Sequence, residues 1–134
     1  MSKRGSLPII PDTFSAEADM SSYEYVIVVH GTAANQCKMP AAAKAGKILG
    51  VMENKPESGI GASCNVIILG LAKVTLAGTV AHGDNLEIAG TTGRAQKYTD
   101  GEANGCLGKA MESGVTGDII TAYVCPVDYS SILT

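Results

Sequence analysis

The amino-acid sequence matches itself at a shift of about 55 to 59 residues, and this internal repeat restricts the possible folds more than any other feature. Each copy contains a strand-like run, a polar turn, a second run, and a Ser-Gly hairpin that leads into a third, β-branched run. Two such copies predict a pseudo-symmetric all-β barrel or sandwich. The aligned segments are 30–38 with 89–97, 48–53 with 106–111, 58–61 with 113–116, and 65–69 with 119–124.

The composition agrees with short strands and tight turns. The 134 residues, enough for one domain, include 16 glycines, one phenylalanine and no tryptophan, so the core must consist mainly of small and aliphatic side chains. Only 39–47 is rich in helix formers, with Pro40 suited to a first turn and Gly46 to a stop; it is either one short helix or a loop. The predicted strands are 25–29, 48–52, 65–71, 74–80, 86–88, 106–111 and 119–124.

The first 22 residues differ from the rest, because Pro8 and Pro11 interrupt them and no hydrophobic alternation is present. Proline and its effect on the preceding residue favour an extended segment. We therefore divide the chain into an extended N-terminal arm, 1–22, and a β-rich domain, 23–134. The arm is either a disordered leader or a segment that docks onto a neighbouring subunit. Its apolar residues, which have no local packing partner in the sequence, are Leu7, Ile9, Ile10 and Phe14.

The charge balance excludes several function classes. Ten Lys and Arg against 13 Asp and Glu give a net charge of −3, and Lys3-Arg4 is too short to be a polybasic tail. We therefore expect no direct contact with nucleic acid. The apolar runs at 26–29 and 66–72 fall well below the roughly 20 residues of a membrane span, and the first ten residues contain no secretory apolar region. The expectation is a soluble protein without a membrane partner.

The four cysteines predict no metal site, because none forms a C-x-x-C pair and no histidine lies at zinc-finger spacing. The repeat places Cys106 at the position of Ile48 and Cys64 near that of Ile119, which favours buried thiols that fill the core. The sequence leaves open a disulfide bond between Cys64 and Cys125.

Catalytic signatures are absent from the sequence. It contains no phosphate-binding loop, dinucleotide fingerprint, zinc-protease motif or nucleophile elbow, so we expect no enzyme, catalytic residue or cofactor. His82 and Asp84 lie two residues apart, but no third group is placed to orient them. Asp84 is better explained as a turn residue that bonds to its own backbone.

One alternative comes from the turn at 80–86, which is similar to the Val-x-x-Gly-Asp-x-Leu turn of biotinyl and lipoyl carrier domains. In such domains a modified lysine lies in the hairpin that follows. Lys97 lies in that region without the usual flanking residues, and Lys38 precedes the turn. A carrier, or another small β-barrel binding module, is therefore the alternative function.

A second set of short sequence motifs occurs in a fixed order over about eighty residues. They are ILGVM at 48–52, VTLAGTV at 74–80 followed by GDNL at 83–86, TGRA at 92–95, and LGKA at 107–110 followed by GDII at 117–120. This order resembles the head decoration, or capsid cement, proteins of tailed bacteriophages.

The resemblance implies a structural virion protein, made in the host cytoplasm, that binds the outside of the expanded capsid as a homotrimer. It implies that the major capsid protein is the partner and that bridging its subunits stabilises the head. An extended arm can add to a sheet edge and insert alternate side chains into pockets. Leu7, Ile9, Ile10 and Phe14 are thus the candidate capsid contacts.

Overall fold

The computed structural model describes residues 7–43, 46–98 and 105–128, with the backbone alone for 7–12 and 128. Its described part is all-β, as the sequence predicts, and contains no helix that could cross a membrane. Residues 39–43 and 46–47 are not helical, so the loop interpretation of this segment is correct there; 44–45 lie outside the description. The strands are β1 Leu7–Ala16, β2 Val26–His30, β3 Gln36–Lys38, β4 Ile48–Met52, β5 Ser63–Thr75, β6 Asn85–Ile88, β7 Ala95–Lys97, β8 Gly105–Ala110 and β9 Ile119–Asp128.

Strand β5 corrects the sequence prediction of two strands, 65–71 and 74–80. It joins the first to the start of the second and ends at Thr75, and 76–80 contains only isolated bridges, at Leu76 and Val80. β5 is one strand of 13 residues, because the alternation of buried and half-buried side chains continues through Leu71, Ala72, Lys73 and Val74 without a turn. Three further strands, β1, β3 and β7, were not predicted. β3 and β7 have three residues each, too few for a period-2 pattern to stand out.

The first five strands form a closed ring with the hydrogen-bonded order β1-β3-β2-β4-β5, which the pairing of β1 with β5 completes. β1 runs parallel to β3 at Ser15 and Ala16 and antiparallel to β5 along its length. Closure gives each strand of the ring a partner on both sides, which protects edges that would otherwise be open to other chains. The result is a small five-stranded barrel.

The second half of the chain repeats this arrangement. From Gly70 onward β5 pairs with β9, and the sheet continues through β8 and β6 to β7. A parallel bridge between Leu76 and Ala95 brings β7 back to the end of β5, with the Ala77 N–H donating to the Ala95 carbonyl at 2.8 Å. The described part of the chain therefore forms two rings that share β5.

The strand registers confirm the predicted repeat. Val28 lies opposite Gly50 in the first ring, and Leu86 lies opposite Gly108 in the second, so the shift is 58 residues (86 − 28). The pair His30–Cys37 recurs as Ile88–Ala95 at the same shift. The alignment of 30–38 with 89–97 is wrong by one residue, since it matched the turn glycines instead of the strand positions.

The repeat also includes β1, although the sequence pattern predicted that this segment is an arm outside the repeat. Phe14 pairs with Cys64 in the first ring, and Val74 pairs with Ile120 in the second. The second half of β5 therefore has the position in the second ring that β1 has in the first. The segment 7–16 belongs to the first repeat unit as its opening strand.

Two hydrophobic clusters occupy the interior of the two rings, among the residues whose side chains the structure describes. One occupies the first ring and includes Cys37, Cys64 and Met20, whereas the larger one joins the second ring to the outer faces of β2 and β4. Both faces of β2 are thus buried, which explains the continuous apolar run VIVV. Cys37 and Cys64 correspond in register to Ala95 and Ile120, so these thiols fill aliphatic positions.

All four cysteines are free, and only Cys125 is exposed. Burial, together with a smaller effect of the neighbouring Cys64 thiol, raises the pKa of the Cys37 thiol to about 12. Burial also raises the pKa of Cys64 and Cys106. Because the thiolate is the reactive form, these three thiols are protected from reagents in two ways: they are inaccessible, and they remain protonated at neutral pH.

Thiol labelling tests this assignment. In the native protein one of the four cysteines, Cys125, should react rapidly with a disulfide reagent at neutral pH, and all four should react in denaturant. Cys125→Ser should remove the rapid phase. Fast labelling of the Cys125→Ser protein under native conditions would contradict the burial of the other three.

Two glycines at matched positions permit close strand contact. A Cβ at Gly50 would lie 2.2 Å from the Ile67 carbonyl oxygen, and one at Gly108 would lie 1.9 Å from that of Tyr123. Gly108 also has a φ of +148°, which L side chains rarely adopt. Each ring therefore depends on one glycine where β4 or β8 crosses its neighbour.

Alanine substitution tests these contacts. Gly50→Ala and Gly108→Ala should each lower the free energy of unfolding by about 2 kcal/mol or more, because the added methyl overlaps a backbone carbonyl. Gly78→Ala is the matched control, since nothing lies within 4 Å of its Cβ position, and it should change stability by less than about 0.5 kcal/mol. Urea unfolding measures the free energy of unfolding of all three variants. Equal stability of the three would show that Gly50 and Gly108 are not crowded by their neighbouring carbonyls.

Candidate docking surface

The predicted arm forms the first strand of the barrel through its residues 7–16. Its two prolines are accommodated because β1 pairs with β3 only at Ser15 and Ala16, so the missing N–H groups lie where β5 is the sole partner strand. The register is irregular on either side of Ile10, between Pro8 and Pro11. The sequence could not indicate this pairing, because the partner strand is distant along the chain.

The four candidate contact residues lie along this strand. The Leu7 backbone is opposite Leu71 and that of Ile10 is opposite Leu69, while Ile9 falls at a register irregularity. Phe14 is half-buried and packs against the cluster inside the first ring. Phe14 thus packs on residues that are distant along the chain, and the tertiary fold supplies the partner that its local sequence lacks.

The residues after β1 are also part of the barrel. Met20 is fully buried in the first cluster, and the Ala16 N–H donates to the Ala62 carbonyl at 2.9 Å. Hydrogen bonds from Thr32 hold the pKa of the Glu17 carboxyl below its usual range, which ties this segment to the β2–β3 loop. Deleting 1–22 would remove a strand and a core residue.

Stability measurements test the role of Phe14. Phe14→Ala should lower the free energy of unfolding by about 1 to 3 kcal/mol, because a half-buried aromatic ring leaves the barrel cluster. Ser15→Ala, at the next and exposed position, should change it by less than about 0.5 kcal/mol. Unchanged stability of the Phe14→Ala protein would show that the ring is free for an external contact.

A second apolar surface, formed by residues that were not among the predicted contacts, lies on the outer side of β8 and β9. Three of its side chains are large and exposed: Tyr123, Ile119 and Met111, at 40%, 51% and 38%. Tyr123 lies opposite Lys109 on β8 and Leu71 on β5, so these side chains share one face. We call Tyr123, Ile119, Met111 and Lys109 the outer face.

The carboxylates near this face are bound to the backbone. Glu112 accepts a hydrogen bond from the Thr121 N–H at 2.7 Å, and Glu53 accepts one from the Lys73 N–H at 2.9 Å. The first unit contains the counterpart of the Glu112 bond, in which Asn54 accepts from the Asn65 N–H at 2.7 Å. These side chains therefore stabilise strand ends, and the aromatic and aliphatic groups of the outer face remain available to a partner.

The one sequence signal for the outer face was the Ile119-Ile120 pair. Consecutive strand residues point to opposite sides, so one of two adjacent isoleucines is exposed wherever only one face of the strand is buried. Ile120 is the buried member and Ile119 the exposed one. Which of the two would be buried depends on the register with β5 and was not readable from the sequence.

The turn at 81–84 has a structural role, as predicted. Asp84 accepts a hydrogen bond from the Ala81 N–H at 2.9 Å and donates its own N–H to the Ala81 carbonyl. Asp118 makes the same two bonds with Val115. The His82 N–H donates to the Ser113 hydroxyl at 3.1 Å, and the His82 side chain is exposed.

The lysines of the alternative carrier function lie within strands. Lys97 is exposed at the end of β7, opposite Leu86, and Lys38 is half-buried at the end of β3, opposite Val29. In the part of the chain that the structure describes, no cluster of three or more His, Cys, Asp or Glu side chains could hold a metal ion.

Comparison with known proteins identifies the fold. No protein-family model matches the chain, and no curated protein sequence matches it. Among solved structures, the chain is similar to the N base of the head fiber protein gp8.5 of bacteriophage phi29, with a TM-score of 0.64 and 20% sequence identity. The likeness covers 86% of this chain and 92% of that one. The two-ring chain therefore shares its fold with the base of a bacteriophage head fiber.

Proposed function

We propose that this chain is a structural protein of a bacteriophage head that binds the outer surface of the capsid. The observation that supports this most directly is the shared fold with the phi29 head fiber base, which extends over nearly the whole of both chains. The ordered sequence motifs at 48–120, which resemble those of capsid decoration proteins, also support the proposal. The proposed role is non-catalytic and needs no cofactor.

The outer face is the proposed capsid contact. Tyrosine and methionine are enriched in protein interfaces, because they supply large contact areas. Tyr123 combines exposure with a rigid position in a strand that has partners on both sides. Contacts between this face and the major capsid protein would be repeated over the whole shell, so modest individual affinities suffice to hold neighbouring subunits together.

Three further parts of the proposal come from the resemblance to capsid decoration proteins. They are the bridging of major capsid subunits, assembly of the protein as a homotrimer, and location on the exterior of the virion after synthesis in the host cytoplasm. The backbones of Leu7 and Ile10 pair with β5, and Ile9 lies at the register irregularity between them, so these residues would contact the capsid from the barrel wall. The apolar Tyr129, Ile132 and Leu133 of the C-terminal tail are further candidates for a capsid contact, and they lie outside the described residues.

Co-sedimentation with expanded heads of the phage that encodes the chain tests the proposal. The wild-type protein should bind to saturation at a fixed ratio to the major capsid protein. Tyr123→Glu should bind at least about tenfold more weakly, a change worth roughly 1.4 kcal/mol, because it places a charge within the apolar contact. Thr91→Glu adds the same charge at an exposed turn in the second unit and should bind normally.

Two outcomes would contradict the proposal. Absence of wild-type binding to expanded heads would remove the capsid function, and equal binding by Tyr123→Glu would exclude the outer face as the contact. Circular dichroism and thermal unfolding of each variant control for misfolding. The intact mass of the protein from infected cells tests the carrier alternative, which requires an increase on one lysine.

A further inference from the structure

The two rings close in the same way at one residue and differently at the residue before it. Ala16 on β1 and Leu76 just after β5 each form the parallel bridge that closes a ring. In the first ring the preceding N–H, that of Ser15, donates to the Asn35 carbonyl at 2.9 Å. In the second ring the preceding N–H is that of Thr75, and it donates to a residue outside the ring closure. The second ring is therefore open at this point.

A segment of the first unit fills the opening. The Thr75 N–H donates to the Tyr25 carbonyl at 2.8 Å, and the Gly93 carbonyl accepts from the Ile27 N–H at 2.7 Å. Gly93 is the equivalent of Asn35, and both residues have a positive φ, +72° and +66°. The chain between Tyr25 and Ile27 is thus inserted between two groups whose equivalents bond directly in the first ring.

A cleft lies beside the inserted segment, and we call it the junction cleft. Its volume is about 180 Å³, the space that roughly six water molecules occupy in the liquid, which suits one small group. Tyr25 in the inserted segment has a φ of +56°, which bulky residues rarely adopt, and such backbone strain concentrates at ligand sites. The polar residues that line the junction cleft come from both units and are Ser22, Tyr23, Glu24, Thr75, Thr92 and Arg94.

The protein itself makes little use of these polar groups. In the part of the chain that the structure describes, no hydrogen bond or ion pair joins the exposed side chains of Glu24 and Arg94, although both line the same cleft. The four hydroxyl groups of the lining likewise form no hydrogen bond with another described residue. Backbone bonds hold both walls of the cleft, so its side chains are available to a ligand on a fixed support.

The chemistry of the lining favours a neutral ligand with several hydroxyl groups. The charges of Glu24 and Arg94 are opposite, so the cleft attracts neither an anion nor a cation strongly. A hydroxyl group both donates and accepts, and the hydroxyls of a sugar therefore match those of the lining. Glu24 can accept from a sugar hydroxyl and Arg94 can donate to one, in hydrogen bonds that the charges strengthen. Tyr23, which packs partly against the first-ring cluster, adds apolar surface for the carbon atoms of a sugar ring.

We propose that the junction cleft binds one neutral pyranose unit of a glycan. The site uses none of the residues of the outer face, and the proposal goes beyond the capsid function. Binding of a single sugar unit is weak, because few atoms make contact. Many copies of the protein on one particle would bind a glycan-bearing surface together, which compensates for weak individual sites.

An NMR titration of the free protein tests the proposal. The probes are the methyl pyranosides of glucose, galactose, mannose and N-acetylglucosamine. At least one of them should shift the backbone amide signals of 22–26, 75 and 92–94, with a dissociation constant in the millimolar range.

Substitutions at the two charged residues test the assignment of the cleft. Glu24→Gln and Arg94→Gln should each weaken binding of the active probe about tenfold, because each removes a hydrogen bond to a charged group. Glu57→Gln and Lys97→Gln make matched changes at exposed positions outside the cleft lining and should bind as the wild type does. Thermal unfolding of each variant controls for misfolding.

Three results would overturn the inference. The first is that no pyranoside shifts the signals of the cleft, and the second is that the cleft variants bind as tightly as their controls. The third is that the free amino acid glycine shifts these signals and the pyranosides do not, which would assign the cleft to a charged chain terminus. All three are measured on the free protein, so they leave the capsid function to the co-sedimentation experiment.

Discussion

The long strand β5 is the element on which both rings depend, because each ring closes through it. Its first half is the wall between β1 and β4, and its second half pairs with β9 and meets β7 just beyond Thr75. The Lys73 and Thr75 N–H groups donate to Glu53 and to the Tyr25 carbonyl, so the second half of the strand is also tied to the first unit. The two units therefore cannot separate without breaking a continuous strand.

The larger core joins the units further. Ile27, Val29 and Val51 belong to the first unit, yet they cluster with the residues that fill the second ring. The Ile27 N–H donates to the Gly93 carbonyl at 2.7 Å, and a Cβ at Gly93 would lie 2.5 Å from the Ile27 carbonyl oxygen. Burial on both faces of β2 and β4 makes the duplicated chain one cooperative body rather than two small barrels, each of which would bury little apolar surface.

This rigidity bears on the proposed role. A protein that binds a capsid from outside gains affinity when its contact groups are fixed before binding. Tyr123 lies on β9, which pairs with β5 on one side and with β8 on the other, so the shared sheet holds it in place. The structural part of the molecule and its proposed contact surface are thus arranged on the same framework.

The sequence by itself determined the all-β class, the duplication and the structural role of the Gly83-Asp84 turn, because these depend on local residue preferences and on similarity within the chain. Only the tertiary structure decided that the segment 7–16 is a barrel strand, since Phe14 finds its partner Cys64 far along the chain. The same holds for Ile119 and Ile120. The two are the same residue type at adjacent positions. The register against β5 alone places Ile120 in the core and Ile119 on the surface.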